Sequence, residues 1–114
     1  MQLMCSSSEE GDTEGLGIFP EKVKLFRIDE KVPHMGWNSI SKFSHPLFDN
    51  LPKPPWFYFV HSFYAELGDS CIAECQHGDE FAACLARENF YAAQFHPEKS
   101  GKTGEQFLKN FIEL

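Results

Sequence analysis

The residues best placed to do chemistry are His96 and Glu98 in the run Phe95-His96-Pro97-Glu98. With one residue between them, an imidazole and a carboxylate can project to the same side of the chain. A carboxylate so placed fixes the histidine tautomer and stabilises the imidazolium formed when the ring takes a proton from a nucleophile. That is two thirds of a catalytic triad. Spacing alone does not decide it, because most His-x-Glu pairs are loop histidines beside solvated carboxylates. Four cysteines offer nucleophiles or metal ligands: Cys5, Cys71, Cys75 and Cys84. Cys71, Cys75, Cys84 and His77 could be combined into a zinc site, but the Cys71–Cys75 gap is not the tight C-x2-C knuckle of a structural zinc centre. Buried thiols, and no metal, are the expectation.

These residues need a support, and the elements around them are short. Apolar runs bounded by Gly, Pro and Asn predict strands at Gly15–Pro20, Val23–Ile28 and Lys31–Ile40. The run Trp56–His61 predicts a buried strand after a Pro-punctuated loop with a helical turn near Leu47–Asn50. Cys71–Gln76, Phe81–Arg87 and Phe90–Phe95 predict a meander turning at His77-Gly78-Asp79 and Glu88-Asn89. His96 therefore sits just past a strand and just before a helix, held by a rigid support yet open to solvent. For that helix, Thr103 and Gln106 are the expected capping box, with Phe107, Leu108, Phe111 and Ile112 on its apolar face. Met1–Met4 reads as the end of a helix breaking into a polar loop, with no cap residue before it.

Composition bounds the rest. At 114 residues there is room for one core, and 42% apolar residues with twelve phenylalanines supply it. Ten basic residues against seventeen acidic ones give a net charge of -7, and the basic residues form no stripe, which disfavours nucleic acid. No apolar run approaches the ~20 residues of a membrane helix, no signal peptide is evident, and the cysteines do not frame every loop as in a secreted scaffold. A cytoplasmic protein with reduced thiols is expected.

The longer string Ala93-Gln94-Phe95-His96-Pro97-Glu98-Lys99-Ser100 resembles the Q-F-H-P-E signature of class I glutamine amidotransferases. Met1-Gln2-Leu3 resembles the residues that follow that family's G-x-C-x-G nucleophile elbow. Lys31-Val32-Pro33-His34-Met35-Gly36-Trp37-Asn38 resembles a hallmark of one branch, the glutaminase subunits of imidazole glycerol phosphate synthases. Ser8-Glu9-Glu10-Gly11, Gly15-Leu16-Gly17 and Tyr58-Phe59-Val60-His61-Ser62-Phe63 match in the same order. Phe63 stands where many members carry tyrosine, so no contact through that hydroxyl is carried over.

The resemblance implies an α/β, flavodoxin-like fold, of which residues 1–114 are the C-terminal portion: mostly strands, closed by a helix. It places the nucleophilic cysteine three positions before Met1 and half the oxyanion apparatus further upstream. The chain as written is therefore expected to be inactive alone, with an exposed sheet edge. Cys5 falls about two turns into the elbow helix, as a small buried thiol. His96 would be general base and acid, and Glu98 would orient it. Gln2, Glu10 and the backbone of Ser62 and Phe63 would meet glutamine. Trp37, Asn38 and Lys99 would face a partner, a (βα)8-barrel cyclase that receives ammonia in histidine biosynthesis. No metal or organic cofactor is implied. The alternatives are a docking module for the cyclase without catalysis, and a zinc-stabilised structural domain.

Overall fold

The computed structural model describes residues 1–28 and 31–114. Its strands are β1 (Ser7–Ser8), β2 (Thr13–Glu14), β3 (Lys22–Leu25), β4 (His34–Ser39), β5 (Trp56–His61), β6 (Phe63–Ala65), β7 (Cys71–His77), β8 (Asp79–Arg87) and β9 (Phe90–Ala93), and helix α1 spans Gly101–Ile112. Short 3₁₀ turns lie at Gln2–Met4, Glu10–Asp12, Pro46–Phe48 and Pro97–Lys99. The fold is thus mixed α/β, mostly strands with one C-terminal helix. No helix among the described residues is long and apolar enough to cross a membrane.

The strands form three sheets, ordered β2-β1-β3-β6, β4-β5 and β7-β8-β9. The last is the expected meander. Gly78, with φ of 75°, makes its first turn in a conformation that an L side chain adopts only with strain. Strand β8 is the spine. Its run Phe81-Ala82-Ala83-Cys84-Leu85 is buried without interruption, because its two faces serve two cores. Phe81, Ala83 and Cys84 pack with Phe26, Phe57, Phe59, Phe95 and Phe107. Ala82 and Leu85 pack with Cys5, Phe19, Val23 and Ala65.

Strand β5 looks equally apolar in sequence but is not buried as expected. Phe57, Phe59 and His61 face inward, whereas Trp56 and Val60 are exposed. It pairs with β4 in register from His34↔His61 to Ser39↔Trp56, and only its inner face meets the β8 core. The partners on β4 repeat the division: Met35 and Trp37 lie on the outer face, exposed.

Other expectations need correction. Gly15–Pro20 is not a strand; its backbone bonds to the first turn instead, Leu16 N to Leu3 O at 2.8 Å and Phe19 N to Met4 O at 2.9 Å. Part of the polar loop before it is strand β1, which runs parallel to β3. Helix α1 begins two residues before Thr103, so no capping box forms there. Gln106 instead donates to Asn110 Oδ1 at 2.8 Å, and Asn110 donates to the carbonyls of Leu47 and Asp49. Those tethers turn Gly104 and Phe107 to the core. Leu108, Phe111 and Ile112 lie at its margin, with Ile112 80% exposed.

Candidate functional site

His96 is fixed through its backbone before its ring does anything. Its N–H donates to Tyr58 O on β5 at 2.9 Å. Ser100, buried four residues on, donates through Oγ to His96 O at 2.6 Å and accepts from Tyr58 N at 3.0 Å. One hydroxyl therefore staples the His-Pro-Glu turn to β5, and this is why Ser100, although it precedes α1, does not cap that helix with its side chain. Close packing completes the support, since a Cβ added at Gly104 would run into the Pro97 carbonyl. Replacing Ser100 with alanine strands Tyr58 N in the interior and should cost about 1–3 kcal/mol of stability. Denaturant titration measures that cost, and a loss below ~0.5 kcal/mol would remove the staple from the account.

The side chains then meet as the spacing suggested. His96 Nδ1 lies 3.3 Å from Glu98 Oε2. The carboxylate is an acceptor, so the proton sits on Nδ1 and the Nε2 lone pair is free to act as a base. This contact is longer than a tight charge-assisted bond, and Glu98 is 60% exposed, so solvent weakens its influence. His96 borders an open cleft of about 630 Å³. Gln2, Glu10, Ser62 and Phe63 line the same cleft, so the structure brings all four expected glutamine-contacting residues together with His96.

Their backbone groups are partly committed already. Phe63 O accepts from Gln2 Nε2 at 3.0 Å and from His61 Nδ1 at 2.7 Å, and Ser62 O accepts from Phe26 N at 3.1 Å. Gln2 Nε2 also donates to Gln94 Oε1 at 3.2 Å. Gln94 and Ser100 were legible only as members of the longer string around His96.

The three residues expected at a partner surface differ from one another. Trp37 is exposed, edge-on to Tyr58 with ring centroids 6.2 Å apart. Lys99 is exposed beside Glu98. Asn38 is engaged inward: its amide nitrogen contacts Gln76 O at 2.8 Å and His34 Nε2 at 3.2 Å, and its oxygen accepts from Ser39 N at 2.8 Å.

None of the four thiols lines the cleft. Burial pushes Cys5 and Cys71 up to about 11 and Cys75 up to about 12, and raises Cys84 further, so all are held protonated near neutral pH. Among the described residues no three His, Cys, Asp or Glu side chains gather where a metal ion could be held.

Two histidines that the sequence did not single out lie at the cleft: His61 is part of its lining, and His34 is bonded to His61. His34 and His61 are 4% and 7% exposed, with His34 Nδ1 and His61 Nε2 3.0 Å apart. Burial, then the neighbouring His61 and His77, lowers His34 to about 3. Burial also lowers His61, to about 4, although the Phe63 carbonyl works the other way. An unfolded histidine binds its proton near pH 6.5. Between that value and the folded values the unfolded chain holds more protons, so acid favours unfolding. Stability should therefore be full above pH ~6.5 and fall as pH drops toward 4, by up to about 1.4 kcal/mol per pH unit for each histidine. Denaturation midpoints at pH 7.5, 6 and 5 test this above the range where ordinary carboxylates titrate. No loss across that range would show that the pair is not held neutral.

Comparison with known proteins gives the family. The pattern of class-I glutamine amidotransferases matches residues 1–114. An imidazole glycerol phosphate synthase subunit HisH from Bacteroides thetaiotaomicron is 51% identical over 117 residues, which cover all of this chain and 60% of the relative. Subunits of the same name from Shewanella sediminis and Thermosynechococcus vestitus are 44% and 45% identical, again over the whole chain, and over 55% and 58% of their own lengths. The chain thus spans about 60% of the length of the first of these relatives. Matching that family's pattern from end to end, the chain belongs to the class-I glutamine amidotransferase family.

Proposed function

We propose that this chain is the C-terminal portion of a flavodoxin-like glutaminase domain, the ammonia-producing subunit of an imidazole glycerol phosphate synthase. The observation that carries the reading is the His96–Glu98 contact at the edge of the cleft shared with Gln2, Ser62 and Phe63. The thiol of a cysteine three positions upstream of Met1 gives its proton to His96 Nε2 and attacks the side-chain amide carbon of glutamine. His96 returns that proton to the departing ammonia, leaving a thioester. Water, deprotonated by the same nitrogen, then hydrolyses the thioester to glutamate and regenerates the thiol. Gln2 and Glu10 hold the substrate. The buried, protonated thiols of residues 1–114 do not replace that nucleophile, so this stretch alone turns over no glutamine.

In this reading ammonia passes to a (βα)8-barrel cyclase of histidine biosynthesis, docked through Trp37 and Lys99, with Asn38 shaping the surface from beneath. Reduced thiols suit a cytoplasmic setting. A second reading, a docking module without catalysis, draws support from the exposed Met35, Trp37 and Trp56 on one face of β4–β5. The test is a polypeptide extended upstream through the elbow cysteine, given glutamine with and without the cyclase. Glutamate release, together with labelling of that cysteine by an electrophilic glutamine analogue, supports the glutaminase. Cyclase binding without either result leaves the docking module in its place.

A further inference from the structure

The buried imidazoles of His34 and His61 belong to a hydrogen-bonded chain that ends in the wall of the cleft. Its proton positions follow from the groups at its two ends. Phe63 O can only accept, so His61 Nδ1, 2.7 Å away, carries a hydrogen. In the neutral ring, His61 Nε2 is then an acceptor, and His34 Nδ1, 3.0 Å away, must donate to it. That leaves His34 Nε2 as an acceptor for Asn38 Nδ2 at 3.2 Å. The Asn38 amide cannot be turned round, because its nitrogen also faces the acceptor Gln76 O and its oxygen faces the donor Ser39 N. Backbone groups at both ends thus dictate every proton between them.

Packing holds the rings in place. His34 is stacked between Phe59 and His77, with centroids 4.8 and 4.2 Å away and interplanar angles of 21° and 16°. His61 is crossed by Phe26 and Phe81 at 5.3 and 5.0 Å. At its far end the chain reaches groups that line the cleft. Phe63 O takes a second hydrogen bond from Gln2 Nε2, which in turn donates to Gln94 Oε1, two residues before His96.

We infer that His34 and His61 are positioning residues for the glutamine pocket: a neutral pair with fixed tautomers that aims the Phe63 carbonyl and, through it, the Gln2 and Gln94 amides. The inference rests on the glutaminase reading for the identity of the ligand, but not for the geometry of the chain. A histidine pair serving only to fill space between β4 and β5 would have no need of a directed path to Gln2.

Two measurements test it. In the full polypeptide with ¹⁵N-labelled histidine at pH 7.5, both rings should be in the Nδ1–H form, with a scalar coupling across the His34 Nδ1–H···Nε2 His61 bond. Nε2–H tautomers, or no coupling, would overturn the chain whether or not glutamine is hydrolysed. In steady-state kinetics, His61→Phe removes the donor to Phe63 O and should raise KM for glutamine about tenfold, with a smaller fall in kcat. His61→Asn keeps a donor near the Nδ1 position and should recover most of that loss. A folded His61→Phe variant with unchanged KM would overturn the positioning role. If the wild-type polypeptide hydrolyses no glutamine while the coupling is present, the failure belongs to the glutaminase reading, and the chain stands on the spectroscopic result.

Discussion

Replacing His96 with alanine should lower kcat for glutamine hydrolysis by about 10³-fold, in the range found when a general base is removed. In the proposed mechanism the ring has two tasks in succession, accepting the thiol proton and delivering it to ammonia. Glu98→Gln should cost less, about 10- to 100-fold, because a carboxylate 3.3 Å away and more than half exposed aligns the ring more than it polarises it. Steady-state glutamate release from the extended polypeptide distinguishes the two. A His96→Ala variant within tenfold of the parent would mean that the base lies elsewhere. A Glu98→Gln loss as large as that of His96→Ala would mean that the carboxylate does more than orient.

The largest effect on stability is expected at Phe57. Its ring is fully buried, stacked on Phe95 at 3.9 Å and 26°, and crossed by Phe107 at 5.7 Å. Truncation to alanine should cost about 3–5 kcal/mol, through lost transfer energy and the cavity left behind. Against a typical total of about 5–15 kcal/mol, that takes the domain close to unfolding. Phe57→Leu, which retains most of the volume, should cost closer to 1.5 kcal/mol. Phe95 immediately precedes His96, so the alanine variant should also lose activity at temperatures where it remains folded. Urea titration of both variants supplies the comparison, and equal losses would show that the stacked ring itself, rather than the buried volume, carries the stability.

The sequence made some of this readable and concealed the rest, for reasons visible at particular residues. The Phe81–Leu85 run and the turns at Gly78 and Glu88-Asn89 are local signals, and the meander followed from them. His96 and Glu98 were readable because their contact spans only two residues. By contrast, Trp56–His61 has the composition of a doubly covered strand, and which face is covered depends on sheet order rather than on the strand itself. Thr103 and Gln106 have capping-box spacing, but Ser100 ends up beside Tyr58, forty-two positions away, and the helix starts from there instead. His34 and His61 fall at inward positions of their strands by alternation. Only the register of β4 on β5 brings the two rings together.

Strand β8, shared by two cores, constrains how this protein can change over time. Five successive positions have no solvent side to which a mismatch could be shed. A larger residue at Ala82 presses on the cluster around Cys5 and Phe19, and one at Ala83 presses on the phenylalanine cluster beneath the cleft. Because interiors are packed as tightly as crystals, strain entering on one side displaces the strand and is felt on the other. The cores cannot drift independently: an accepted substitution in one narrows what the other will tolerate, and compensation for it extends across the strand as well as beside it.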